Sequence, residues 1–274
     1  MHSRIPRDAF ALIIGAMKCG TSSLYSYLQG HPEICPAIDK EPEFFSENQG
    51  HGVKVDNYTD LWSYNDSIHK YALEASTGYT KYPSEPNVPK KIYDYGIRPK
   101  FIYIIRNPFD RILSHFNFMQ WDKSWLLNID DPHLINTSNY FLQLEQYRKY
   151  FPREDILILD FDQLKNNPQL VLQKIYHFLD LSHSYFPKDY DVKNPTQIGT
   201  KFERDLRNLK VGAFIVRLPK PLKKLGQNLL RGMFPPEKRF MTNAEKEFIY
   251  NELKGDMANL HHFYGIDVCK WGFC

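Results

Sequence analysis

Short apolar segments alternate with helix-like stretches along most of the chain. Four segments rich in Ile, Leu, Phe or Tyr are bounded by polar or turn residues, which is typical of buried strands; they occupy residues 10–14, 71–74, 101–105 and 156–161. Strands that alternate with helices pair in parallel through right-handed crossovers. The pattern therefore predicts a three-layer α/β fold, with a central parallel sheet flanked by helices and ligands bound at the carboxyl ends of the strands.

Capping residues predict where several helices begin. An Asn-Pro pair places an N-cap before a proline at the first helical position, and such pairs begin at Asn107 and Asn167. Thr242 followed by Glu245 forms a capping box. We expect helices to start at these three places, and a further helix over residues 20–28 directly after the first strand.

Composition fits one globular domain that spans residues 1–274. The 274 residues are 42% hydrophobic and 24% charged, which suffices for one sizeable core. From about residue 187 to 240 the pattern weakens into Pro, Gly, Lys and Arg, and predicts an irregular or helical basic excursion. The formal net charge of +3 is too small to indicate a nucleic-acid partner, but it is compatible with a small polyanionic ligand.

Cysteine spacing and the N-terminus predict a cytoplasmic protein with reduced thiols. The four cysteines lack metal-ligand spacing and are too few for a dense disulfide framework; they are Cys19, Cys35, Cys269 and Cys274. No bound metal is therefore expected. The N-terminus has no signal pattern, and no apolar run approaches the roughly 20 residues that span a bilayer, so we expect no stable membrane insertion. A domain cut from a membrane-anchored parent would show the same sequence features.

The segment after the first strand has the layout of an anion-binding loop. Gly15 and Gly20 permit the backbone angles that turn amide N–H groups inward, and the following helix adds a partial positive charge. Lys18 adds a full positive charge. The candidate ligand-binding residues of this loop and the first helical turn are Lys18, Cys19, Gly20, Thr21, Ser22 and Ser23.

The same loop departs from the nucleoside triphosphate pattern. The spacing of its glycines resembles a P-loop, but the Lys that should follow the second Gly lies inside the loop, as Lys18. Magnesium-dependent nucleoside triphosphate chemistry is therefore disfavoured. An ordinary strand-to-helix turn with an exposed lysine is the alternative for this segment alone.

A second candidate site follows the third predicted strand. Arg106 ends an apolar run and Ser114 follows eight residues later, about two turns along the predicted helix. A planar guanidinium and a hydroxyl at these positions can approach one phosphate from two sides. Each residue alone has another explanation, a surface ion pair for Arg106 and an exposed serine for Ser114.

Together, the two motifs resemble the sulfotransferases that use 3′-phosphoadenosine 5′-phosphosulfate (PAPS), particularly the heparan sulfate sulfotransferases and their bacterial relatives. The resemblance covers most of the chain and implies a P-loop-like fold. It implies that the loop with Lys18 grips the 5′-phosphosulfate of the PAPS co-substrate, and that Arg106 and Ser114 hold its 3′-phosphate, which would remain on the product 3′-phosphoadenosine 5′-phosphate (PAP).

Further segments match the family with two departures. Residues 40–45 resemble the element Lys-Glu-x-His-Phe-Phe, whose first Glu is the general base, so the resemblance assigns that role to Glu41. Glu43 stands at the position of the family histidine. In residues 74–79, which resemble Glu-Lys-Thr-Pro-x-Tyr, Ala75 replaces a lysine that some members use in catalysis, so donor activation rests on Lys18. Trp271 is interpreted as a packing residue, and the late loop over the 3′-phosphate is expected within residues 188–207.

The resemblance implies in-line sulfuryl transfer to a hydroxyl, or as second choice an amine, of a glycan or a small-molecule natural product. The runner-up is a P-loop kinase or nucleotide-binding protein, which would need a lysine at the end of the loop and an aspartate placed for magnesium. A third hypothesis is a module that binds anionic membranes through basic residues of the excursion; these are Lys210, Arg217, Lys220, Lys223, Lys224, Arg231, Lys238 and Arg239. The acceptor, the choice between oxygen and nitrogen and the oligomeric state stay open.

Overall fold

Parallel strands form the centre of the fold. In chain order they are β1 (Phe10–Gly15), β2 (Ile34–Pro36), β3 (Tyr71–Ala75), β4 (Lys100–Ile105) and β5 (Ile156–Asp160). They form one five-stranded sheet in the order β2-β3-β1-β4-β5, in which every neighbouring pair is parallel. The structure is a computed structural model and describes residues 5–47, 54–119, 128–191 and 239–274. The predicted α/β fold with a central parallel sheet flanked by helices is confirmed.

The helices begin largely where capping residues predict them. They are α1 (Thr21–Leu28), α2 (Val88–Tyr95), α3 (Pro108–Met119), α4 (Pro132–Asn136), α5 (Tyr140–Arg148), α6 (Phe161–Asn166), α7 (Pro168–Phe178) and α8 (Asn243–Tyr264). Asn107 Oδ1 accepts a hydrogen bond from the first turn of α3 at 3.0 Å, and Asn167 Oδ1 does the same for α7 at 3.1 Å. Thr242 and Glu245 form the predicted capping box at the start of α8. No helix within the described ranges combines the length and apolar character needed to cross a bilayer.

The parallel register brings four strand ends to one edge of the sheet. Ile13 lies opposite Ala75, and Ile105 lies opposite Asp160, so β1, β3, β4 and β5 all end at this edge. Because all strands run in the same direction, the segments that follow these ends meet there. The candidate phosphate loop follows β1, Arg106 follows β4 and Phe161 follows β5.

Three features differ from the sequence-based expectations or extend them. The sheet contains the additional edge strand β2, whose three residues are too few to show a periodic pattern. The last predicted strand ends one residue early, because Asp160 caps α6 by accepting a hydrogen bond from Asp162 N at 2.7 Å. The predicted basic excursion over residues 187–240 and the late loop over 188–207 lie almost wholly outside the described residues.

The expectation of four reduced thiols is wrong for one pair of cysteines. Cys269 and Cys274 form a disulfide, with their Cα atoms 5.0 Å apart. The chain reverses between them at Gly272, whose φ of +87° lies in the left-handed region that glycine adopts readily. Cys19 and Cys35 are free and buried. The sequence spacing of five residues did not show that the turn brings the first pair together.

Candidate active site

The candidate phosphate loop connects β1 to α1 and contains two glycines, each of which is in close contact with a neighbouring side chain. A Cβ on Gly15 would lie 2.0 Å from Thr80 Oγ1, which itself donates a hydrogen bond to Ile14 O at 2.8 Å. Gly20 has a φ of +89°, and a Cβ there would lie 2.8 Å from the ring of Phe161. Both positions therefore require glycine, because a side chain would collide with Thr80 at position 15 and with Phe161 at position 20.

Within the loop, the predicted binding residues divide into two groups. Cys19 turns its side chain into the core, and its backbone N donates to Ala16 O at 3.1 Å. Burial raises the pKa of the Cys19 thiol to about 11, which keeps it protonated at neutral pH. Thr21, Ser22 and Ser23 form the first turn of α1, where backbone N–H groups have no acceptor inside the helix. This turn can bind an anion.

Lys18 lies half-buried at the mouth of the loop. Its backbone has a φ of +70°, and its ammonium lies 4.4 Å from the centre of the Phe118 ring. Burial lowers the pKa of Lys18; the negative charge of Glu41 opposes this shift and the positive charge of Arg106 adds to it. The charges of Glu41 and Arg106 therefore shift the pKa of this lysine in opposite directions.

Hydrogen bonds fix the backbone of Arg106, and its side chain contains a buried donor, Nε. The hydroxyl of Tyr140 donates to Arg106 O at 2.7 Å and accepts from Arg106 N at 3.4 Å. One guanidinium nitrogen lies 3.3 Å from Asp110 Oδ2. Within the described part of the chain, Arg106 Nε is buried without a hydrogen-bond partner. Buried donors are nearly always bonded, so this N–H is suited to a ligand oxygen. Ser114 lies on the buried face of α3, the helix that follows Arg106.

Two aromatic residues connect the loop with Arg106. The Tyr140 hydroxyl that binds the Arg106 backbone lies 4.0 Å from Cys19 Sγ. The ring of Phe161 lies under the Arg106 guanidinium at 4.8 Å and also packs against Gly20. Tyr140 and Phe161 thus hold the two predicted anion-binding elements side by side.

Glu41 lies on a turn that faces the end of β3. Its backbone N donates to Ala75 O at 2.9 Å, and its carboxylate forms an ion pair with Lys40. The Glu41 side chain is 26% exposed, so an acceptor can still reach it. The structure thus places the predicted base at the same sheet edge as Lys18.

Comparison with known proteins identifies the family. A family model described as a sulfotransferase domain matches residues 8–197. The chain belongs to this sulfotransferase family. The matched range contains every site residue predicted from the sequence, from Lys18 to Ser114.

Individual relatives support the same assignment at moderate similarity. The chain is 28% identical over 204 residues to human heparan sulfate glucosamine 3-O-sulfotransferase 5, and the matched region covers 66% of this chain and 56% of that protein. It is 28% identical over 200 residues to mouse bifunctional heparan sulfate N-deacetylase/N-sulfotransferase 4, covering 64% of this chain and 22% of that protein. The chain therefore spans about half or less of the length of these curated sulfotransferases.

A solved sulfotransferase has the same fold. The crystal structure of a sulfotransferase from Alicyclobacillus acidocaldarius superposes with a TM-score of 0.69 at 21% identity, and covers 97% of this chain and 99% of that one. The similarity in fold extends over nearly the whole length of both chains.

Sequence reasoning did not find every residue that shapes this site. Tyr140 was missed, since no local pattern links it to Cys19 or Arg106. The apolar pattern predicts Phe161 as the last residue of a strand, whereas the structure places it directly after β5, at the ligand edge of the sheet. Trp271, a predicted packing residue, is buried, with its ring 6.4 Å from that of Tyr140.

Proposed function

We propose that this chain transfers a sulfuryl group from PAPS to a hydroxyl, or as second choice an amine, on an acceptor. The observation that carries the proposal is the pairing of the Lys18 loop with Arg106 through Tyr140 and Phe161. Two cationic elements held side by side at one sheet edge suit a ligand with two separated phosphate groups. Membership in the sulfotransferase family supports the same chemistry.

The residues fit the PAPS co-substrate at both of its charged ends. The first turn of α1 and Lys18 would bind the 5′-phosphosulfate, while Arg106 Nε and the Ser114 hydroxyl would bind the 3′-phosphate. The fit rests on Arg106 Nε, which is buried and has no hydrogen-bond partner among the described residues, so a phosphate oxygen would supply its acceptor. When bound, PAPS supplies the sulfuryl group, whose sulfur forms a bond to the acceptor as its bond to the phosphate oxygen breaks.

The protein contributes position and charge to this reaction. Lys18 stabilises the negative charge that grows on the departing phosphate oxygen, and its lowered pKa makes its ammonium a better hydrogen-bond donor. Glu41 accepts the proton of the attacking hydroxyl or amine. Binding donor and acceptor together at one sheet edge would make the transfer effectively intramolecular, and positioning together with charge stabilisation supplies most of the rate in group transfers of this type.

A nucleoside triphosphate kinase is disfavoured by the loop itself. The position after the second glycine, which holds the lysine of a P-loop kinase, is Thr21 and is 4% exposed. The lysine of this loop is instead at position 18, with its ammonium 4.4 Å from the centre of the Phe118 ring. A sulfuryl donor is therefore the better match.

For the acceptor, we propose a carbohydrate hydroxyl first and a small-molecule natural product second. The names of the two curated relatives, which refer to heparan sulfate, support a carbohydrate. The small-molecule class stays second, because Glu43, at the position of the family histidine, is only 4% exposed and its charge does not favour a cationic acceptor.

A transfer assay tests the proposed function. The protein is incubated with PAPS that is radiolabelled in the sulfuryl group and with acceptors of three classes: glucosamine polysaccharides, small alcohols and phenols, and amines. We expect label in at least one class, with loss in Lys18→Ala and retention in the matched surface variant Lys254→Ala, whose exposed lysine contacts Asn251 on α8. PAPS that stays intact with every acceptor, or equal transfer by Lys18→Ala, would refute the proposal.

A further inference from the structure

The turn that carries Glu41 is fastened to the sheet edge by a second, buried carboxylate. Glu43 is 4% exposed, and its Oε1 accepts a hydrogen bond from Gly78 N at 3.2 Å. Its backbone N donates to Ser76 Oγ at 3.0 Å. We propose that Glu43 is a positioning residue that holds Glu41 where the acceptor binds. The inference rests on the proposed role of Glu41 as the base.

The turn needs such an anchor because its backbone conformation is unfavourable. Glu41 has a φ of +61° and Glu43 a φ of +49°, in the left-handed region that residues with a side chain rarely adopt. Two such residues within three positions persist only when surrounding contacts determine them. The fixing contacts include the bond from Glu41 N to Ala75 O and the two bonds of Glu43.

The anchor continues into the core through a chain of polar groups. The Ser76 hydroxyl has one proton, which it donates to Glu74 Oε1 at 2.6 Å, so its oxygen can accept from Glu43 N. Glu74 is fully buried and also accepts a hydrogen bond from Tyr58. Because each donor in this hydrogen-bond network has a defined acceptor, the Ser76 hydroxyl is held in the orientation that accepts the bond from Glu43 N.

Gly78 leaves the space that the Glu43 carboxylate occupies. A Cβ on Gly78 would lie 2.7 Å from Glu43 Oε1 and 2.8 Å from Ser46 Oγ. A methyl group at position 78 would therefore displace the carboxylate without removing any functional group. This gives a perturbation of the anchor that is independent of any substitution of Glu43 itself.

Steady-state kinetics on four single variants and one double variant test the proposal. Glu43→Ala and Gly78→Ala should each lower kcat by roughly 10- to 100-fold, the loss expected when a catalytic group is displaced by about 1 Å, with the Kd for PAP within about twofold of wild type. Glu43→Gln keeps an acceptor oxygen for Gly78 N, so we expect kcat within about threefold of wild type. In the Glu41→Ala background, adding Glu43→Ala should cost almost nothing more, because the positioned base is already absent.

Each outcome decides between distinct conclusions. Loss of kcat in Glu43→Gln as large as in Glu43→Ala would overturn the positioning role in favour of a direct role for the negative charge. An undiminished loss in the Glu41→Ala background would also overturn it. If Glu43→Ala does not fold, Gly78→Ala and Glu43→Gln carry the test, with PAP binding as the check on folding. Full activity in Glu41→Ala would instead refute the base assignment, whereas impaired Glu41→Ala with normal Glu43→Ala and Gly78→Ala would refute only this inference.

Discussion

Removing one hydroxyl from Tyr140 should weaken recognition of the 3′-phosphate. Tyr140→Phe deletes the group that donates to Arg106 O at 2.7 Å and accepts from Arg106 N at 3.4 Å, and the ring itself is fully buried. Loss of the short bond to Arg106 O and the unsatisfied carbonyl it leaves cost about 2 kcal/mol of the free energy of unfolding, and loss of the long bond from Arg106 N adds little. Because Arg106 is then less well held, we expect the affinity for PAP to fall by roughly tenfold and the affinity for AMP, which lacks the 3′-phosphate, to change little.

Tyr147→Phe is the matched control for this prediction. Tyr147 is 1% exposed and its hydroxyl donates to another backbone carbonyl, Tyr79 O, at 2.9 Å. Urea denaturation should show a similar loss of stability in both variants, whereas calorimetry should show weaker PAP binding only in Tyr140→Phe. Equal PAP affinity in the two variants would refute the inference that Tyr140 positions Arg106.

Three further predictions follow from the site and from the packing of α8. Lys18→Ala should lower turnover by roughly a hundredfold or more, the loss typical of a charge-stabilising donor, as single-turnover assays with PAPS would show. Gly20→Ala should weaken the binding of PAP and AMP alike, because its φ of +89° and the Phe161 ring at 2.8 Å exclude a methyl group; unchanged calorimetric titrations would contradict this. Burial raises the pKa of Asp256, which accepts hydrogen bonds from Phe141 N and Leu142 N, to about 6. The folded protein thus keeps this proton to higher pH than the unfolded chain, whose aspartates titrate near 4. As the pH rises from about 4 to 6, the free energy of unfolding of wild type should therefore fall relative to that of Asp256→Asn, and at higher pH the difference between the two should stay constant. Urea denaturation across this pH range would test the prediction.

Much of the fold was predictable because its signals are local. The four strands β1, β3, β4 and β5 are apolar runs, since helices flank the sheet and leave no polar face to show alternation. The starts of α3, α7 and α8 were predictable because a single Asn or Thr side chain caps each of them. Edge strand β2, with only Ile34, Cys35 and Pro36, carries too short a pattern to be distinguished from a loop.

The candidate site was predictable only as far as its residues lie next to strand ends. Lys18 and Arg106 follow β1 and β4 directly, so parallel topology alone brings them to one edge. Tyr140 lies 34 residues from Arg106 and 121 from Cys19, and its role depends on how α5 packs behind the loop. Likewise, the exchange of the family histidine for Glu43 was visible in the sequence, but its bond to Gly78 N required the tertiary structure.

Calorimetric titration of PAP and AMP into wild type and Arg106→Ala tests most directly whether one site binds both phosphates of the nucleotide. We predict that wild type prefers PAP by about tenfold or more, as a charge-assisted contact to the 3′-phosphate implies. Arg106→Ala should remove this preference, and Arg148→Ala, which alters an exposed arginine paired with Glu145, should keep it. Equal affinity of wild type for PAP and AMP, or a preference that survives in Arg106→Ala, would contradict the account.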